Sequence, residues 1–109
     1  MEFRKVVAII RTDRLAEVEK ELAELGVSGL STTRVKGYGE YANFFSRDPK
    51  VLHARVEVVA ERDRAYEIVR TVLSAASTGQ PGDGLVMMVP VEHVWRIRTC
   101  KEATAEDLL

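Results

Sequence analysis

Cys100 is the only cysteine among 109 residues, so no internal disulfide can form and nothing implies an oxidising compartment. An excess of one charge is also missing. The 16 Lys+Arg and 17 Asp+Glu leave a formal net charge of −1. A broad electrostatic grip on nucleic acid needs a basic excess or stripe, and an anionic membrane surface asks for the same, so neither is an expected partner. No window approaches the ~20 apolar residues of a membrane span, and the run after Met1 turns charged at Arg11, too short for a signal peptide. The expected location is the cytoplasm. His53 and His93 stand alone, at no zinc spacing with Cys100 or each other, which points to structural or surface roles. No Ser-His-Asp order and no placed pair of carboxylates supports catalysis, and no enzyme activity is expected. What is present is a chain of 46% apolar and 30% charged residues, ordinary for a folded domain. One such domain over residues 1–109 buries roughly two-thirds of its extended-chain surface and can hold a core without staples.

The order of residues is more informative than their proportions. Phe3 to Arg11 is dense in Val and Ile and reads as a buried strand. Asp13 is a good N-cap, Leu15, Val18, Leu22 and Leu25 recur at helical spacing, and Gly26 suits a left-handed C-cap, which predicts a helix over 13–25. A second strand covers 28–38, and residues 40–50 form a loop around Asp48-Pro49. Leu52, Ala54, Val56 and Val58 alternate with His53, Arg55 and Glu57, the pattern of a half-buried strand. Ala65, Ile68, Val69, Val72, Leu73 and Ala76 form one stripe on a helix over 61–77. A Gly-rich break over 78–84 follows, then a strand at 86–89, a turn at Pro90-Val91-Glu92, extended chain over 93–99 and a weakly helical tail over 101–109. This β-α-β, loop, β-α-β order predicts an α+β, ferredoxin-like βαββαβ sandwich. Two helices cover only one face of its sheet, so the other face is expected to meet further subunits.

Three segments carry possible chemistry. Thr78-Gly79-Gln80-Pro81-Gly82-Asp83-Gly84 has unhindered backbone amides that can converge on phosphate oxygens, although a plain turn has the same composition. It lacks the Gly-Lys-Ser/Thr ending of a Walker loop. Arg96-Ile97-Arg98, on a strand, would project two guanidinium forks to one face, suited to phosphate or merely solvated. Val35-Lys36-Gly37-Tyr38-Gly39 allows close backbone approach beside one positive charge. Phe44, Phe45 and Tyr41 read as anchors of their own loop.

In this order and on this frame, these segments, together with Gly26-Val27-Ser28-Gly29-Leu30-Ser31 and Arg96-Ile97-Arg98-Thr99, resemble the PII signal-transduction family over nearly the whole chain. The resemblance implies a homotrimer with an adenine nucleotide in each cleft between subunits. It implies that Gly82, Asp83 and Gly84, within a phosphate-binding loop over 78–85, wrap the phosphates. Arg96 and Arg98 would reach those phosphates from the neighbouring subunit. Gly29, Leu30 and Ser31 would border the adenine, Gly37 and Tyr38 would line the same cleft, and Glu57 and Val59 would sit by the ribose and base. The partner it implies is a membrane transporter or metabolic enzyme of nitrogen or carbon metabolism.

The departures from the family pattern bear on the ligand. The loop over about 39–51 is several residues shorter than is usual, Tyr41 replaces a glutamine that helps hold magnesium and 2-oxoglutarate, and the tip tyrosine has no equivalent. Leu85 stands where a lysine commonly meets the phosphates, which favours ADP or AMP relative to ATP. The short loop is similar to that of PII-like proteins tied to bicarbonate uptake. On that reading Lys36, Arg47, His53 and Arg55 would supply charge for a small anion. Two other readings are a structural or interaction trimer without ligand response, motivated by Leu85 and Tyr41, and a slow nucleotide hydrolase, for which no general base is seen.

Overall fold

In the computed structural model, residues 2–35 and 52–108 are described. The Val- and Ile-rich run forms strand β1, Phe3–Arg11. The chain leaves it through a 3-10 turn, Thr12–Arg14, into helix α1, Leu15–Leu25. Asp13 therefore lies inside the 3-10 turn and does not cap the helix; Arg14 stands at the cap, with no side-chain bond there. Arg14 instead donates from Nε and Nη2 to the Ala75 carbonyl at 3.0 and 2.6 Å, a cation on the C-terminal end of the second helix. Gly26 closes α1 in the left-handed conformation at φ 97°, as predicted. Arg64 from the second helix donates to the Leu25 carbonyl at that same end.

The remaining elements are β2 (Ser31–Val35), β3 (His53–Glu61), α2 (Arg62–Ala76), β4 (Gly84–Val91), β5 (Trp95–Arg96), β6 (Lys101–Glu102) and a closing 3-10 turn, Glu106–Leu108. The sheet order is β2-β3-β1-β4 and every adjacent pair is antiparallel. This is the ferredoxin-like α+β arrangement that the periodicity predicts.

Three expectations about the strands need correction. The second strand begins at Ser31, not 28, and its expected end at 36–38 lies outside the described residues. β4 runs through Pro90, which the sequence suggests as a turn. Because β4 is an edge strand paired only with β1, a residue without an N–H does not interrupt the ladder. Residues 93–99 are not one extended run. β5 and β6 form a short hairpin, closed by the Cys100 amide on the Arg96 carbonyl at 2.9 Å, and Arg98 falls in its turn. The weak helical character expected of the tail takes the form of the 3-10 turn Glu106–Leu108, after the strand residues Lys101 and Glu102.

The two faces of the sheet are packed differently. Val6, Ala8 and Ile10 of β1 and Val56, Val58 and Ala60 of β3 meet Val18, Leu22, Ile68 and Val72 of the helices in one buried core. Each fully buried aliphatic chain contributes roughly 1.5–3 kcal/mol relative to exposure. Leu73, assigned to the apolar stripe of α2, is instead 54% exposed. On the other face, Val7 and Ile9 pack with Val35, Leu85 and Met87, with no helix over them. Leu85 thus serves this apolar cluster. Residues opposite each other across strands share a face. The register therefore lines up Ser31, Glu57 and Val7 in one row of the helix-free face, Thr33, Arg55 and Ile9 in the next, and Val35, His53 and Arg11 at the end.

Candidate functional site

The loop after α2 is built around one carboxylate. Asp83 accepts from the backbone amides of Thr78 and Gly79 at 2.9 and 3.0 Å, from the Thr78 hydroxyl and from Arg11 Nε at 3.0 Å. The Thr78 hydroxyl bond, with the two amides and Arg11, holds the Asp83 carboxyl well below the usual carboxylate range against the opposing effect of its burial. Two carbonyls of the same loop point at the end of the sheet. Pro81 O accepts from Arg11 Nη2 at 2.5 Å and Gly82 O lies 2.7 Å from His53 Nε2. A carbonyl only accepts, so Nε2 carries the ring proton in this contact. His53 is buried, 4% exposed, which bears out the structural role expected of it.

Gly84 ends the loop as the first residue of β4, at φ 97°. A Cβ there would lie 1.8 Å from the Ile9 carbonyl oxygen, so backbone approach to β1 demands glycine at this position.

A second cluster forms further along the helix-free face. A cavity of about 360 Å³ is lined by Gly29, Leu30, Ser31, Glu57 and Val59, five residues assigned to the base and ribose. Lys5, Ser28, Asp107 and Leu108 complete its wall. Its volume lies within the ~300–1,000 Å³ of small-molecule sites. Its lining mixes small, apolar and charged groups, which suits a flat ring with a polar edge. Arg96 donates from Nη1 to the Asp107 carbonyl at 3.1 Å. The Asp107 carboxyl is held below its ordinary range, first by the Thr104 amide and then by the Thr104 hydroxyl and the charges of Arg96 and Arg98. Both arginines therefore stand beside this cluster, held on a hairpin and its turn rather than on one strand face.

The two clusters are apart. Lys5 borders the cavity and Arg11 holds the loop, six residues further along β1. At about 3.3 Å per residue this is roughly 20 Å. Gly82, Asp83 and Gly84 thus lie together, and Gly29, Leu30, Ser31, Glu57 and Val59 lie together, but one chain does not join the two sets. Lys36, Gly37, Tyr38 and Arg47 lie outside the described residues. Of the small-anion set, His53 is engaged with Gly82 O, and Arg55 Nε is 3.4 Å from Glu57 Oε1. Among the described residues no group of His, Cys, Asp and Glu could hold a metal. No described helix is long and apolar enough to cross a membrane.

Sequence reasoning missed Arg11, Lys5 and Asp107. Arg11 left one local signal, a lone cation ending an apolar strand; the other two are placed by long-range contacts that no local pattern encodes.

Comparison with known proteins places this arrangement. A family model described as nitrogen regulatory protein P-II matches residues 3–101. The nitrogen regulatory protein P-II of Azospirillum brasilense is 37% identical over 108 residues, covering 88% of this chain and 92% of that protein. Nitrogen regulatory protein P-II 1 of Escherichia coli (strain K12) is 36% identical over 114 residues, covering 94% and 97%. The chain spans about half the length of the plant relatives it matches, 54% for the Arabidopsis thaliana homolog and 50% for that of Oryza sativa. The crystal structure of Arabidopsis thaliana PII bound to citrate aligns with a TM-score of 0.78 at 31% identity, covering 94% of this chain and 89% of that one. The sheet order, the braced glycine loop and the match across residues 3–101 agree: this chain belongs to the P-II nitrogen regulatory protein family.

Proposed function

We propose that this P-II family member is a signal-transduction regulator, not an enzyme, that binds an adenine nucleotide in clefts between the subunits of a homotrimer. The observation that carries this reading is the separation of the two clusters. The glycine loop has backbone amides for phosphate, and the hollow beside it, about 140 Å³ and lined by Ile9, Val72, Leu73 and Ala76, is small and apolar. The cavity bounded by Gly29–Ser31, Glu57 and Val59 has walls for a base and ribose, with Arg96 and Arg98 beside it, but no loop. Each is half of a nucleotide site, and two chains brought together through their helix-free faces can supply both halves. Partly buried Val35, Leu85 and Met87, packed beside the buried Val7 and Ile9, leave apolar area on that face for association to cover.

Leu85 packs in that apolar cluster and brings no charge to the phosphates. This supports ADP or AMP over ATP. The ligand state is read by a transporter or metabolic enzyme. Signalling of this kind requires that the nucleotide bind one state of the regulator better than another. For the companion ligand we favour a small anion, bicarbonate, with Arg55, Lys36 and Arg47 as the source of charge; buried His53, engaged with the Gly82 carbonyl, is left out of that set. The citrate bound in the Arabidopsis structure shows that one relative takes a small polyanion.

The direct test is isothermal titration of the purified protein with ATP, ADP and AMP, each with and without bicarbonate or magnesium and 2-oxoglutarate, alongside light scattering for the mass. A trimer whose ADP or AMP affinity rises with bicarbonate supports the reading. Affinity raised by 2-oxoglutarate moves the protein to nitrogen sensing, and no heat with any nucleotide leaves a trimer without ligand response. Arg98→Ala is expected to weaken ADP about tenfold, the scale of one charge-assisted bond, and to leave adenosine nearly unchanged. Equal losses for both ligands would remove Arg98 from the phosphates.

A further inference from the structure

We propose that Arg11 and His53 are positioning residues that set the direction of two consecutive amides, Gly82 N–H and Asp83 N–H, in the glycine loop. The inference rests on the nucleotide reading above and adds to it how the phosphate end of the site is built. Arg11 Nη2 holds the Pro81 carbonyl at 2.5 Å and His53 Nε2 holds the Gly82 carbonyl at 2.7 Å. In a planar trans peptide the C=O and the following N–H point in opposite directions. Fixing the Pro81 carbonyl toward the end of the sheet therefore fixes Gly82 N–H away from it, and fixing the Gly82 carbonyl does the same for Asp83 N–H. Gly82 N–H donates no hydrogen bond among the described residues and Asp83 N–H makes only the loose turn contact back to Gln80, whereas the Thr78 and Gly79 amides of the same loop are both consumed by Asp83. Gly82 N–H, with Asp83 N–H beside it, is the amide left to meet an anion.

The backbone makes this control necessary. Pro81 followed by Gly82 at φ 90° is the sequence and conformation of the centre of a type II turn. Types I and II differ by a half-rotation of the central peptide, here Pro81–Gly82. With glycine in the second position both are sterically open, and a rotation would turn Gly82 N–H inward and its preceding carbonyl toward a bound phosphate. Arg11 holds the rotated form from the end of β1, anchored by its second bond to Asp83 at 3.0 Å. His53 holds the next peptide from the first position of β3, in the pair it makes with Arg11 across the sheet. Both side chains are set by strand register, so the loop inherits its amide directions from the rigid sheet.

The test compares His53→Leu, which removes the donor, with His53→Gln, whose side-chain amide can place an N–H near the same carbonyl, and Arg11→Met with wild type. Circular dichroism first checks that each variant folds. The expected result is that His53→Leu and Arg11→Met weaken ADP at least tenfold and adenosine less than twofold, and that His53→Gln recovers most of the ADP affinity. A purely packing role for His53 predicts that glutamine and leucine are equally poor, and that result would overturn the proposal, as would equal losses of ADP and adenosine. Amide NMR of the ligand-free protein separates this proposal from the nucleotide reading. If wild type binds no nucleotide, that reading fails, and the Gly82 and Asp83 amide resonances decide the proposal alone. They are expected to move in His53→Leu and return in His53→Gln; unchanged resonances in both variants overturn it. Should His53→Leu fail to fold, Arg11→Met carries the same comparison, with displaced Gly82 resonance expected and an unchanged one refuting the role of Arg11.

Discussion

The glycine loop and the cavity are built in opposite ways. At the end of the sheet, residues 78–84 are fixed by side chains from three places: Asp83 within the loop, Arg11 on β1 and His53 on β3. At the cavity, Ser31 is held by its pairing with Glu57 and the 106–108 turn by Arg96 on the Asp107 carbonyl, and the wall is made of surfaces placed side by side. The difference fits what each end would recognise under the proposed nucleotide reading. A phosphate is read by hydrogen bonds, whose strength falls steeply with misdirection, so the donors need fixing in advance. A base is read largely by burial, which is not directional, so a wall that adjusts serves as well.

Two glycines, one at each end, give the sharpest way to break that comparison. Gly84→Ala is expected to have the largest effect. Its Cβ would meet the Ile9 carbonyl at 1.8 Å in a left-handed backbone, so either β4 must shift away from β1 or the loop must rebuild. A loss of about 3 kcal/mol or more is expected, read as a fall in the thermal midpoint by circular dichroism. A midpoint within a few degrees of wild type would show that the approach to β1 is not rigid. Asp83→Asn comes next. It keeps the shape but replaces an acceptor of four bonds with a group that cannot accept them all, a loss of about 1–3 kcal/mol. The same variant tests a pH dependence. The folded carboxyl titrates below its unfolded value of about 3.9, so its stabilisation is complete above that pH and fades as the pH falls through the acid range. Wild type is expected to lose stability toward pH 2 more steeply than Asp83→Asn in denaturant titrations. Parallel slopes would show that other carboxylates govern the acid limb. Gly29→Ala is the smallest. A Cβ there meets nothing within 4 Å, so the folding stability should stay within about 0.5 kcal/mol of wild type while the methyl group narrows the cavity. Adenosine affinity is the measurement that shows whether the narrowed wall is in use.

Much of the fold was legible because its cause is local. Gly26 closes α1 where the last apolar residue of the stripe stops, and the alternation from Ala54 to Val58 marks the buried line of β3. The site was legible in part. Gly29, Leu30, Ser31, Glu57 and Val59 do line one cavity, an association that rested on family resemblance, since they come from two separate segments. Arg96 and Arg98 were misplaced as one strand face because the turn that holds Arg98 depends on a hydrogen bond from Cys100, itself at φ 56°, a conformation no local preference of cysteine indicates. Pro90 was misread for a related reason: proline breaks a central strand but not an edge, and which strand is the edge is a property of the sheet.

Alternating and helical spacing of apolar residues, read along the chain, thus determined the elements, their order and the face each one buries, since each is set by periods of two and 3.6 residues. The tertiary structure decided what met across the fold. Antiparallel register brought Arg11 and His53 opposite each other at the mouth of the glycine loop, left Val7 and Ile9 on a face without helices among the described residues, and set the cavity beside Lys5 some six residues of β1 away from the loop. Those placements depend on which strands pair and in what register, and that choice is made by burial summed over the whole sheet, not by any one segment.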